Sequence, residues 1–177
     1  MQPLAPCWRP SRRAIPTLPL ALGLAGMSTA ALTRQDEGDT TTMEMTIERL
    51  SPEGMHRNPA FSQAVVITHP GRTIYIGGQN AVNVQGEIVG KGDLAAQTEQ
   101  IFVNLGIVLE AAGASLHDIV KWTMFLVDGQ DLRPGFEVFQ RHWGRDHQPP
   151  AISAALVSRL AHPDFLVEIE AIAITSA

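Results

Sequence analysis

Apolar residues recur along the chain with the periods of helices and strands. After Asp93, a plausible N-cap, they recur every three or four residues until Gly113, which predicts an amphipathic helix. Asp131 is predicted to cap a second helix, with Pro134 in its first turn and Gly144 at its end. The first helix is expected to expose a solvated polar surface made of Gln97, Glu99, Gln100, Asn104 and Glu110.

Runs of β-branched and aromatic residues predict strands before and after the helices. The runs at 64–67 and 73–76 flank a His-Pro-Gly turn signal, so a β-hairpin is predicted there. Further strands are predicted at 87–89, 119–127, 154–157 and 165–174. Side chains alternate in the last run, which places Glu168 and Glu170 on one face.

The order of these elements predicts a fold of the α+β class, a sandwich with a mixed β-sheet. Both helices are expected to cover one face of the sheet and to leave the other face open. Met124, Leu126 and Leu156 are candidates for an apolar surface on the open face. A small protein normally hides such a surface in an oligomer, so self-association is expected.

Residues 1–44 differ in composition from the remainder and are interpreted as a leader ahead of one domain at 45–177. Three arginines precede an apolar run of small residues, as in a secretory or twin-arginine signal, although prolines leave this run too short for a membrane span. The preferred alternative is that translation starts at Met43 or Met45. The protein is then expected in the cytoplasm, whereas a genuine signal would export it.

Charge and composition exclude several classes of function for the domain. It contains nine Lys and Arg against fourteen Asp and Glu, a net charge of −5 without a basic stripe, which disfavours nucleic acid. The only cysteine, Cys7, lies in the leader, so thiolate chemistry is excluded from the domain. The histidines lack paired metal-ligand spacing, and no nucleotide-binding or acyl-serine motif occurs. We therefore expect no metal site.

Two local features remain as candidates for chemistry. Glu168 and Glu170 share a strand face, where neighbouring carboxyl groups suit general acid–base work, although a solvated or ion-paired strand face is the alternative. Gly77-Gly78 ends a predicted strand and allows the backbone to approach a neighbouring group closely. Neither feature by itself identifies a substrate.

Several segments, taken together, resemble the RidA/YjgF family of small trimeric proteins. They include Tyr-Ile-Gly-Gly-Gln at 75–79, Pro-Pro-Ala-Ile-Ser at 149–153 and Val-Glu-Ile-Glu-Ala-Ile-Ala at 167–173. Further matching segments lie at 58–65, 97–105, 112–113 and 118–121. The resemblance implies a chorismate-mutase-like (YjgF-like) fold and a homotrimer with small-molecule clefts at its subunit interfaces. It also implies hydrolysis of reactive enamines and imines to 2-oxoacids and ammonia, without a cofactor.

The resemblance assigns roles to residues of the implied cleft. Glu168 matches the glutamate that helps to position water and is the implied catalytic residue. The residues implied to bind substrate are Phe61, Gly77, Gly78, Gln79, Phe136 and Ile152. Those that have lost a polar group of the family are Phe61, Gly77, Phe136 and Ile152. Ile152 replaces the arginine that pairs with the substrate carboxylate, so the chain resembles a divergent member.

Two functions follow as hypotheses. The first is a hydrolytic deaminase of enamines, imines or related small metabolites, and the second is a non-catalytic binding or sensing trimer of the same family. The apolar replacements favour a less charged ligand, unless another cation such as Arg57 or Arg159 reaches the cleft. An interaction protein acting through an apolar patch is a third hypothesis.

Overall fold

The computed structural model describes residues 43–176, which form two α-helices and six β-strands. In chain order these are β1 (Thr46–Leu50), β2 (Ala64–Thr68), β3 (Arg72–Gln79), α1 (Leu94–Ala111), β4 (Ile119–Val127), α2 (Arg133–Trp143), β5 (Ala151–Val157) and β6 (Val167–Thr175). Neither helix in this range is long and apolar enough to cross a membrane. The predicted leader lies, except for its last two residues, outside the described residues.

The strands form one mixed sheet and a separate two-stranded antiparallel sheet. The larger sheet has the order β3-β6-β4-β5, in which β4 and β5 are parallel and the other pairs are antiparallel. Strands β1 and β2 form the smaller sheet. Both helices pack their apolar sides against one face of the larger sheet. This arrangement confirms the predicted α+β class and the mixed sheet.

Side-chain alternation along β6 separates a core face of the sheet from an open face. Val167, Ile169 and Ala171 are buried in the core beneath the helices. Glu168 and Glu170 point to the opposite face, because successive side chains of a strand alternate. The predicted sharing of one face by the two glutamates is confirmed.

Trp122 of β4 stands at the centre of the core and is fully buried. Its ring meets Phe102 of α1 and two rings of α2, Phe139 and Trp143, edge-on, with centroid separations of 5.7, 5.0 and 5.4 Å. Such aromatic pairs each add about 1 kcal/mol beyond the burial of area. Trp122 therefore determines which side chains of β4 face the helices.

The prediction of an apolar surface on the open face is wrong, because Trp122 faces the helices. Met124 and Leu126 follow Trp122 at the strand period, so they face the helices and line a cavity there. Leu156 is in register with Leu126 on the neighbouring parallel strand and lies on the same side of the sheet, where it is 59% exposed.

The predicted helix ends are confirmed, except that the N-cap of α2 is shifted by one residue. Asp93 caps α1 by accepting a backbone hydrogen bond of 3.1 Å, and Gly113 follows the helix with a φ of 69°. Helix α2 begins with Leu132 as its N-cap rather than Asp131. Asp131 still serves the helix start, because its Oδ1 accepts a hydrogen bond from Arg133 N.

The predicted β-hairpin is wrong, although both of its runs are strands. Within the described residues β2 pairs with β1, whereas β3 pairs with β6 in the larger sheet. The pattern also misses β1, and the predicted strand at 87–89 is reduced to a bridge between Val82 and Ile88. A β-branched run predicts extended backbone but not its partner. The partner of β3 is set by Ile74 and Ile76, which pack into the core.

Gln97 contradicts the predicted solvated surface of α1, because it is fully buried. Its Nε2 donates to Gly90 O at 3.2 Å and to Asp164 O at 2.6 Å. Its Oε1 accepts from Leu166 N at 2.8 Å. The side chain thereby ties α1 to the loop before it and to the segment that enters β6. Helical spacing does not separate a surface glutamine from one that satisfies buried backbone groups.

Replacing Gln97 with leucine, which is similar in size, is expected to lower the free energy of unfolding by about 3 kcal/mol, because three backbone groups lose their partner. Urea unfolding followed by circular dichroism measures the change. Gln85→Leu, at an exposed loop position, is the control and should change stability by less than about 0.5 kcal/mol. Equal losses in the two variants would contradict the role of the Gln97 amide.

Candidate ligand site

An apolar cavity of about 240 Å³ lies between α2 and the core face of the larger sheet. Three residues predicted to bind substrate line it: Phe61, Phe136 and Ile152. The wall also includes Phe102, Met124, Leu126, Phe139, Val167 and Ile169. In another protein an engineered apolar cavity of about 150 Å³ binds benzene, so this cavity is large enough for a small alkyl or aryl group.

The wall of the apolar cavity carries almost no polarity. Among its described lining residues Thr98 alone has a polar side chain, and the hydroxyl donates to Leu94 O at 2.7 Å. Ile152 places a branched alkyl group where the resemblance implies a guanidinium. A carboxylate buried against this wall would lack a cation, a loss of about 2–5 kcal/mol by comparison with truncated charge pairs.

Two other predicted site residues, Gly78 and Glu168, meet on the opposite face of the sheet. Glu168 lies against Gly78, where an added Cβ would be 2.7 Å from Glu168 Cδ. Asn80 Nδ2 donates to Glu168 Oε2 at 3.1 Å. Gln79 follows a shift in the register between β3 and β6 and pairs with Ile169 of the core face, and its Nε2 donates to Gly77 O at 3.1 Å. We call Gly78, Asn80 and Glu168 the Glu168 cluster.

Strand β6 separates the Glu168 carboxylate from the apolar cavity within one chain. Val167 and Ile169, the neighbours of Glu168, line the cavity, and alternation turns the carboxylate to the other face. Glu170 lies on the same open face in a hollow that also contains Lys121, whose pKa is lowered by burial. The structure therefore places Phe61, Phe136 and Ile152 around the apolar cavity, and Gly78 and Glu168 on the opposite face of the sheet.

Sequence patterns do not single out Asn80, the residue that holds the Glu168 carboxylate. Its own backbone is held by α1, because Asn104 Nδ2 donates to Asn80 O and to Val82 O at 3.0 Å each. Asn104 thus supports the Glu168 cluster and is not part of a solvated surface, contrary to the prediction. The one feature of the sequence that points to Asn80 is its position directly after Gly-Gly-Gln.

The two groups offer different chemistry. A carboxylate oriented by a hydrogen bond from Asn80 can orient a water molecule or move a proton, and the apolar cavity can hold an alkyl or aryl group. In the range 43–176 no three His, Cys, Asp or Glu side chains come together as a metal site. The described site residues therefore offer a carboxylate on one face of the sheet and an apolar pocket on the other.

Comparison with known proteins identifies the family. The family model described as Endoribonuclease L-PSP matches residues 54–175. A RutC family protein of Pyrococcus abyssi is 42% identical over 114 residues, which are 64% of this chain and 84% of that protein. The chain belongs to the RidA/YjgF family.

Other relatives include a named enzyme and proteins of known structure. The human 2-iminobutanoate/2-iminopropanoate deaminase is 33% identical over 114 residues, 64% of this chain and 79% of the human protein. A crystal structure of a Rid family protein from Yersinia pestis has a TM-score of 0.65 and 36% identity, over 73% of this chain and 98% of that one. TdcF of E. coli, crystallised with bound serine, has a TM-score of 0.53 and 36% identity, over 60% and 83%. These structures agree with the predicted YjgF-like fold.

Gly78→Ala is expected to displace the Glu168 carboxylate, because the added methyl group would occupy the space of that side chain. The glutamate side chain is flexible, so the free energy of unfolding should change by less than about 1 kcal/mol. The NMR chemical shift of the Glu168 carboxyl carbon reports the displacement. Gly77→Ala is the matched control, since nothing lies within 4 Å of a Cβ at that position. Equal shifts in both variants would rule out the close contact.

Proposed function

We propose that this RidA/YjgF protein hydrolyses reactive enamines or imines in a cleft built from two copies of the chain. The observation that carries the proposal is the placement of Glu168, which packs against Gly78, accepts a hydrogen bond from Asn80 and forms no ion pair within residues 43–176. The human relative is named as an imine deaminase, and TdcF holds serine, a small amino acid. Both support a small metabolite as the ligand.

Hydrolysis of an imine needs a water molecule placed against the C=N carbon and a group that moves protons. Glu168 takes a proton from the water as the C–O bond forms, and passes it to the nitrogen. A second proton transfer, from the new hydroxyl to the nitrogen, breaks the C–N bond and releases ammonia and a 2-oxoacid. An enamine is first protonated on carbon and loses a proton from nitrogen, which converts it to the imine. These steps use water and a carboxyl group and require no cofactor.

A second copy of the chain would bring the apolar cavity and the Glu168 cluster together, because one chain holds them on opposite faces of β6. Strand β5 lies at the edge of the larger sheet, and its residues 153–156 are exposed and uncharged. An apolar edge of this kind is a surface for association. The family implies a homotrimer, in which each interface would join one apolar cavity to one Glu168 cluster.

A non-catalytic binding or sensing trimer is the second candidate. It is favoured by the wall of the apolar cavity, where Phe61, Phe136 and Ile152 replace polar residues of the family. A neutral ligand would fit this wall without a partner for a carboxylate. The two candidates differ in one measurable outcome, the release of a 2-oxoacid.

The description of the matching family model names an endoribonuclease, but the charges of this chain do not favour RNA. Phosphate backbones are bound by clusters of Lys and Arg, and affinity rises with the number of phosphates neutralised. The chain has a net charge of −5. We therefore propose a small-molecule ligand rather than a nucleic acid.

Glu168→Gln is expected to lower kcat for 2-oxoacid release by about 100-fold or more, because an amide does not accept the proton of the attacking water. Steady-state kinetics with freshly generated 2-iminobutanoate measures the change. Glu170→Gln, on the same strand face but outside the Glu168 cluster, is the control and should keep most of the rate. Unchanged turnover in Glu168→Gln would remove Glu168 from the mechanism.

The native chain, with Ile152 in place, is expected to release 2-oxoacid from freshly generated 2-iminopropanoate and 2-iminobutanoate. Ile152→Arg should not raise the rate, and it should cost about 3 kcal/mol of stability, because a guanidinium would be buried in the apolar wall without a partner. Ile152→Met controls for the change in shape. An inactive native chain and an active Ile152→Arg variant would contradict the deaminase proposal and favour the second candidate.

A further inference from the structure

A second cavity, of about 520 Å³, shares Phe61 with the apolar cavity as a common wall. Two arginines line it: Arg49 of β1, and Arg57 of the loop that follows. The neutral polar side chains around them are Ser51, Asn58, Ser62 and Gln148. Its described lining contains no Asp or Glu, and we call it the arginine cavity.

Both arginines of this cavity lack a counter-charge. Neither forms an ion pair in the part of the chain that the structure describes. The basic side chains that do pair with a carboxylate there include Lys91, Arg133 and Arg141. Two guanidinium groups in one cavity repel each other, and an anion bound between them would turn this repulsion into attraction.

Arg49 is partly buried and its hydrogen bonding is incomplete. Its Nη2 donates to His117 O at 3.3 Å, while its Nε is buried without a hydrogen-bond partner among the described residues. Burial also lowers the pKa of Arg49. An anion in the arginine cavity would supply Arg49 with the counter-charge and the hydrogen-bond acceptor that it lacks among the described residues.

The arginine cavity lies next to the start of β5, close to Ile152 along the chain. Ser62 Oγ donates to Pro149 O at 2.6 Å, and Ser62 N donates to Pro150 O at 3.0 Å. These bonds fasten the loop that carries Arg57 and Phe61 to the residues that lead into β5. Ile152 supplies no cation to the apolar cavity, but Arg49 and Arg57 lie in the cavity on the other side of Phe61.

We propose that Arg49 and Arg57 bind the carboxylate of a small organic anion whose alkyl or aryl end reaches past the edge of Phe61 into the apolar cavity. The inference rests on the proposed function, because it names the ligand class of the same cleft. Of the two replacement cations considered from the sequence, Arg57 lines the arginine cavity, whereas Arg159 lines neither cavity.

Isothermal titration calorimetry of the full chain with 2-oxobutanoate tests the site, because this probe joins a carboxylate to a short alkyl group. It is compared with 2-butanone, which lacks the carboxylate, and with inorganic phosphate, which lacks the alkyl group. We expect 2-oxobutanoate to bind more tightly than either compound. Arg57→Gln should weaken its binding by about 10- to 100-fold and leave 2-butanone binding unchanged.

A charge-retaining variant and a matched control complete the experiment. Arg49→Lys keeps the positive charge but loses the fork of donors, so it should weaken 2-oxobutanoate binding less than Arg57→Gln does. Arg72→Gln, at an exposed arginine outside both cavities, should bind as the native chain does. Native affinity in Arg57→Gln, an equal loss in Arg72→Gln, or phosphate binding as tight as that of 2-oxobutanoate would overturn the proposal.

Turnover measured on the same variants separates this inference from the deaminase proposal. Carboxylate binding that depends on Arg57, together with no 2-oxoacid release by the native chain, supports the arginine site and overturns the deaminase. Release by Arg57→Gln with native kcat and KM supports the deaminase and overturns the arginine site.

Discussion

The alternation of side chains along β6 determines where both halves of the candidate site lie. It makes Val167 and Ile169 part of the apolar wall and turns Glu168 to the opposite face. A register slip of one residue would exchange the two sets and bury a carboxylate in an apolar core, at a cost of several kcal/mol. The register is therefore strongly specified, and the separation of carboxylate and cavity is specified with it.

Because the carboxylate and the cavity are separated in one copy, the proposed trimer is needed to bring them to the same ligand. A carboxylate on one face and a cavity behind the other can act on one ligand where two copies meet. Within one copy, Asn80 already donates a hydrogen bond to the Glu168 carboxylate, and Gly78 leaves the space that this side chain occupies. The apolar wall, which includes Ile152, offers no cation to the carboxylate of a ligand. The nearby arginine cavity, which shares Phe61 with this wall, contains two.

Much of the fold could be predicted from the sequence because helices and strand faces leave a period in it. The caps of α1, the mixed sheet and the shared face of Glu168 and Glu170 all follow from such patterns. Features that depend on long-range pairing could not be predicted in this way. The contact between Gly78 and Glu168 requires β3 to pair with β6 rather than with β2, and the side of the sheet on which Met124 lies depends on the burial of Trp122.

The candidate site shows the same division. The loss of polarity at Phe61, Phe136 and Ile152 is visible in the sequence, and the structure brings the three together in one wall. The role of Gln97 is not visible, because its partners are backbone groups that are distant in sequence. Arg49 is not visible either, since it lies on β1, a strand that the hydrophobic pattern misses.

Complementation between two inactive variants would show whether the cleft is built from two copies. Glu168→Gln copies keep the apolar cavity, and Ile152→Trp copies, whose cavity is filled, keep the Glu168 cluster. Oligomers assembled from an equal mixture are predicted to recover about a quarter of the native 2-oxoacid release, the share of interfaces at which random mixing joins two intact halves. Mixed oligomers as inactive as their two parents would contradict a cleft between copies.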